Sequence, residues 1–158
     1  MKHLIFAVVI GLTSTAAFAQ TKEKEDEKSE MKSAKQPVVP QVVLQAFAKE
    51  YPGTKATWDA EDGGFEAMFT VNGVESSANY SKTGVRESSE VEINVTDLPA
   101  AVTSYVKANY AAYKLTEAAK MTDAKNVVTY EAEVKKDGKS MDLIFDSTGK
   151  FIKQEKGE

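Results

Sequence analysis

Phe65-Glu66-Ala67, followed by Gly73, Tyr80 and Gly84, returns as Tyr130-Glu131-Ala132 followed by Gly138, Phe145 and Gly149, each match displaced by 65 positions. A chain that keeps an aromatic pair and two glycines in register uses them for the same backbone task twice, so the stretch predicts an internal duplication. Phe65, Ala67, Phe69 and Val71 alternate with Glu66, Met68 and Thr70, the period of a half-buried strand, and Asn72-Gly73 is a strong two-residue hairpin signal. With Val71 opposite Val74, Phe65 falls opposite Tyr80 on the inner face of the hairpin. In the second copy Asp137-Gly138 makes the turn, which sets Lys136 opposite Lys139 and Tyr130 opposite Phe145.

The surroundings of each hairpin repeat as well. Lys82-Thr83-Gly84 and Ser147-Thr148-Gly149 are matching turns that lead into further strands over 85–95 and 150–154. Ahead of the hairpins, 56–60 and 115–121 are candidate strands, the second of which also suits a continued helix. Upstream, Pro40 opens a helix with Val43, Phe47 and Tyr51 on one stripe, ended by Pro52-Gly53. Pro99 opens a second with Val102, Val106 and Tyr110 at the same spacing, and Asp97 stands near its positive end. This helical match is displaced by 59, so six extra residues lie within 111–126, in a longer helix end or a longer loop. The fold class is therefore α+β: two tandem repeats, each a helix followed by an antiparallel β-meander, with the helices packed on one face of the sheet. The copies occupy 37–95 and 96–158, a length at which two half-domains can share one core. Trp58, the single tryptophan, is expected in that core beneath the helix, an exposed binding aromatic being the other reading.

Composition narrows the chemistry. Lys2 and His3, the apolar run from Leu4 to Leu12, and Ala17-Phe18-Ala19 read as a secretory signal over 1–19, cleaved near Ala19 to release a periplasmic or secreted protein. The run is shorter than the ~20 apolar residues of a membrane helix, and no later segment is long or apolar enough, so no membrane span is expected. Residues 20–36 carry five basic and five acidic side chains with almost nothing apolar, a flexible charged tether. Loss of Lys2 leaves 19 basic against 24 acidic residues, a formal charge of −5. The chain has no Cys, and its only histidine is His3 in the leader. Without either, the commonest general base, the Ser-His and Cys-His pairings and the usual zinc ligands are missing, so no enzyme, no cofactor and no metal are expected. With a single arginine, Arg86, and an acidic balance, nucleic acid is not expected as a partner.

Val39-Pro40 leading through Phe47 to Tyr51-Pro52, then Trp58, the Asn72-Gly73 hairpin and Leu98-Pro99 opening a second copy, resembles the PepSY-like, beta-lactamase-inhibitor-protein-like family of exported bacterial proteins. The resemblance runs from Val39 to Ile152. It implies tandem copies of a helix-plus-antiparallel-sheet unit, with helices on one side and the opposite sheet face free.

That free face would carry Glu66, Met68, Thr70, Glu75, Ser77 and Asn79 from the first hairpin, and Glu131, Glu133, Ser140, Asp142 and Ile144 from the second. The register sets Glu133 directly opposite Asp142, and like charges facing each other destabilise a strand pair unless something offsets them. A cationic partner surface would do so, with Met68 and Ile144 as adaptable or apolar contacts, which makes Glu66, Met68, Glu131, Glu133, Asp142 and Ile144 the candidate partner-binding residues. The plain alternative is a solvated face whose carboxylates splay apart. Asp59, Glu61 and Asp62 before Gly63-Gly64 lack the spacing of a calcium loop and read as hairpin-turn residues. The functional expectation is an exported, non-enzymatic module that binds or inhibits another envelope or exported protein, one with a basic surface, through the open sheet face. A cation-buffering or stress-related structural envelope protein is the second class.

Overall fold

Pro40 and Pro99 cap the two helices, their extended backbones (ψ 145° and 140°) turning the chain into the first helical turn. The computed structural model describes residues 37–61 and 63–157; the signal, the tether and Asp62 lie outside them. Helix α1 runs Gln41–Glu50 and is followed by β1 (Ala56–Glu61), β2 (Gly64–Val71), β3 (Val74–Ser81) and β4 (Arg86–Glu92). A short 3-10 turn at Val95–Asp97 leads into α2 (Ala100–Asn109), then β5 (Lys114–Asp123), β6 (Val128–Lys136), β7 (Lys139–Asp146) and β8 (Phe151–Lys156). All eight strands form one antiparallel sheet in chain order. The described residues thus form an α+β fold, with two helices and an eight-stranded antiparallel sheet.

The two-residue turns set the register as their chemistry requires. Asn72 and Asp137 take positive φ of 53° and 51°, followed by glycines at 83° and 77°. Phe65 pairs with Tyr80, Tyr130 with Phe145, and Glu133 with Asp142. The region 115–121 is a strand, part of β5, and does not continue α2. The two helices are equally long, ten residues each, so the six extra residues are not a longer helix end. They fall mostly in β5, which has ten residues where β1 has six, and in the longer loop that follows it.

The apolar stripes of both helices meet the same sheet face, where Trp58 is buried as expected. They do so over two clusters rather than one shared core. The first joins Val43 and Phe47 of α1 to Trp58, Ala67, Phe69, Ala78 and Tyr80. Phe47 meets Trp58 and Phe69 edge-on, with centroids 5.4 and 5.1 Å apart. The second joins Leu98, Val102 and Val106 to Ala118, Ala132, Val134, Leu143 and Phe145. The reason lies where the halves meet: on the helix side of β4 and β5, Ser89 pairs with Thr122 and Val91, 41% exposed, with Lys120, so no continuous layer of buried apolar side chains bridges the clusters.

Candidate functional site

Alternation along the strands sends every second side chain away from the helices, and the register aligns these into rows. One row crosses β2 to β5 through Met68, Ser77, Glu90 and Met121. A second runs from Glu92 through Ala119, Glu131 and Ile144 to Lys153. A third holds Glu117, Glu133, Asp142 and Glu155, four carboxylates on four consecutive strands. Glu66 stands on β2 opposite Asp59 and Asn79.

All six candidate residues therefore lie on the helix-free face, yet not as a flat solvated surface. Glu66 is 2% exposed, Ile144 4% and Glu90 6%; Ser77 and Ala119 are buried, and Met68, Glu131, Glu133 and Asp142 are half-buried. A sheet centre this closed to water makes carboxylate charge costly. Burial, reinforced by the charges of Glu66 and Asp142, raises the Glu90 carboxyl from 4.5 to about 7. Burial followed by the charges of Glu90, Asp142, Glu155 and Glu133 raises Glu131 to about 9. The face thus brings together carboxylates from β2, β4, β6, β7 and β8.

Local donors meet part of this acidity. The Thr116 hydroxyl, at the irregularity in the β5 register, donates to Glu133 Oε1. The opposition of Glu133 to Asp142 is therefore relieved in part from within the chain. Lys153 Nζ lies 2.6 Å from Glu155 Oε1 at the far edge. By contrast, Glu90 Oε1 is, among the described residues, a buried side-chain oxygen with no hydrogen-bond partner.

Glu90 and Met121 were not among the candidates from the hairpins. Their register depends on β3–β4 and β4–β5 pairings that no two-residue turn sets, and on an irregularity between Asn79 and Tyr80. The signal that would have found Glu90 is the alternation Ser88, Glu90, Glu92 within β4. Asp59 and Glu61 lie on β1, Asp59 exposed; among the described residues no cluster of three or more acidic or histidine side chains is arranged to hold a metal ion.

The comparisons agree with this architecture. The family model for beta-lactamase-inhibitor-like, PepSY-like proteins matches residues 63–153. A candidate periplasmic protein of Bacteroides eggerthii has a similar solved structure, with a TM-score of 0.70 at 17% identity, covering 76% of this chain and 90% of that one. A DUF2874 family protein of Bacteroides ovatus gives 0.67 at 20% identity, with 76% and 89% covered. A BLIP-like protein of Bacteroides fragilis gives 0.62 at 21% identity, with 74% and 85% covered. At these identities the likeness speaks for the fold alone. No curated protein matches the chain.

Proposed function

The chain belongs to the beta-lactamase-inhibitor-like, PepSY-like family, and from that premise we propose that it is an exported, non-enzymatic module that binds another protein, one with a basic surface, through the helix-free sheet face. The observation that carries the reading is the gathering of Glu66, Glu90, Glu131, Glu133 and Asp142 on one sheet face while both helices pack on the other. Carboxylates held close together and away from water repel one another, and a cationic surface arriving over them converts that repulsion into attraction. Met68 and Ile144 add adaptable and apolar contact within the acidic field. Inhibition or sequestration of the partner is the mode we read for such a face.

Residues 37–95 and 96–158 are read as the two copies of one duplicated unit, following a leader over 1–19 and a tether over 20–36. The recurrence of one helix and four strands in each half supports this division. A periplasmic or secreted location is the reading the leader supports. Among the described residues no helix is long and apolar enough to cross a membrane.

The test is capture from envelope extract on the full chain, identification by mass spectrometry, and a binding titration with the purified partner. The reading expects a protein with a basic surface that binds the parent chain and binds a Glu133→Ser, Asp142→Ser variant at least about tenfold more weakly, with far-ultraviolet circular dichroism unchanged. Equal binding by the folded double variant would remove the sheet face from the mechanism.

A further inference from the structure

At the middle of the face, β4 carries Glu90 between Ser77 of β3 and Met121 of β5, neither of them charged. The residue is 6% exposed, and its Oε1 is left without a hydrogen-bond partner. A buried carboxylate oxygen that accepts no hydrogen bond carries an unmet desolvation cost, so an incoming N–H donor has more to gain there than at the partnered carboxylates. The surrounding titratable groups are nearly all of one sign. On the same sheet face as Glu90 are Glu66 on β2, Glu75 on β3, Glu117 and Asp123 on β5, Glu131 and Glu133 on β6, and Asp142 on β7, of which Glu66, Asp142 and Glu131 interact with it by charge. Among the described residues, the cations on this face are Lys114 and Lys135, opposite each other in register at one end, and Lys153, which Glu155 engages on β8. Arg86 points toward the helices, its Nε 3.1 Å from Glu50.

We propose that Glu90 is the receptor for a single nitrogen cation, the guanidinium or ammonium end of one arginine or lysine side chain of the partner, which donates to Oε1 and is held by the field of Glu66, Glu131 and Asp142. This deepens the docking reading and rests on it. The occupant is an N–H cation rather than a metal ion, because Glu90 has a vacant acceptor but the described carboxylates do not converge as a ligand set. Occupation is coupled to protons. Without a partner the face holds these carboxyls partly protonated at neutral pH, Glu90 having been raised to about 7 and Glu131 to about 9. An arriving cation favours the ionised form, so a proton leaves to solvent as the cation enters, and affinity rises with pH through this range.

The full chain, carbon-13 labelled, allows the Glu90 carboxyl to be titrated by NMR with ethylguanidinium or ethylammonium chloride at constant ionic strength. Tetramethylammonium has the same charge without an N–H, and calcium chloride serves as the metal arm. An N–H cation should lower the Glu90 midpoint by about half a unit to one unit, a roughly three- to tenfold preference for the ionised carboxylate, while tetramethylammonium and calcium leave it in place. No movement, or equal movement with tetramethylammonium, overturns the proposal, and a response to calcium alone overturns it in favour of a metal site. With the purified partner, Glu90→Gln should weaken binding about tenfold and remove most of its pH dependence. If Glu90→Gln binds as the parent while Glu133→Ser, Asp142→Ser does not, the docking face stands and the Glu90 receptor falls. If both variants bind as the parent, both readings fall.

Discussion

Gly84 and Gly149, matched by the repeat, meet the same demand from two helices. Gly84 has φ +80°, and a Cβ there would lie 2.8 Å from the carbonyl oxygen of Val42 in α1. Gly149 has φ +83°, and its Cβ would lie 2.8 Å from the Cβ of Ala101 in α2. Each turn is pressed against the start of its own helix, so the glycine is required both by backbone conformation and by lack of room. Gly73 isolates the first factor, with φ +83° and nothing within 4 Å of the place a Cβ would take. Gly73→Ala is expected to cost about 1–2 kcal/mol, and Gly84→Ala or Gly149→Ala about 2–4 kcal/mol, since the close contact adds to the left-handed penalty. Urea denaturation of the three variants checks this, and equal costs would show that the helix contact contributes nothing. The matching letters alone revealed that these glycines were needed, but not that a helix lay against them, because a close approach between distant segments leaves no mark on local spacing.

Each helix and the strands beneath it form a cluster with its own buried valine, Val43 and Val102, both 0% exposed. Truncating either to Ala removes two methyl groups and leaves a small cavity, for about 1–3 kcal/mol. Because Ser89, Thr122, Val91 and Lys120 stand on the helix side of the strand pair between the clusters, the two costs should add to within about 0.5 kcal/mol in a double-mutant cycle. A larger coupling would mean that the sheet transmits strain between halves. At this scale the helices and hairpins were legible from proline caps, the stripe of apolar residues and turn dipeptides, all of which act within a few residues. The separation into two clusters was not, because it depends on which residues of β4 and β5 pair, and that register is set by tertiary packing and an irregularity. The candidate face divides the same way: six residues followed from the two hairpins, while Glu90 at its centre belongs to the strand whose partners no short-range signal names.

For the molecule as a whole, the acidic face sets how stability depends on pH. In the unfolded chain, carboxyls of this type lose their protons near 4.5, whereas folding holds the Glu90 proton to about 7 and the Glu131 proton to about 9. Between these values the folded state binds more protons than the unfolded one. Stability is then greatest toward the lower end of the window and is lost as pH rises through about 7 and on toward 9. The loss is on the order of a few kcal/mol for the cluster as a unit, since the two carboxyls share one field and titrate together. The other shifts act outside the window: Asp146, whose carboxyl accepts from the backbone N–H groups of Thr148 and Lys150, is held below its ordinary 3.8 and works in the opposite sense at acid pH, while burial raises the phenols of Tyr51 and Tyr80 above 10, in the same sense as the two glutamates but at more alkaline pH. Urea midpoints for the parent chain should therefore fall between about pH 5.5 and about pH 9, against the usual expectation for a chain whose carboxylates are stabilised by partners. Glu90→Gln, which keeps the volume and removes the charge, should flatten that fall and leave the variant more stable than the parent at the alkaline end. A parent curve that rises over the same interval would mean that these carboxyls are ionised in the folded protein, and that the face carries its full negative charge before any partner arrives.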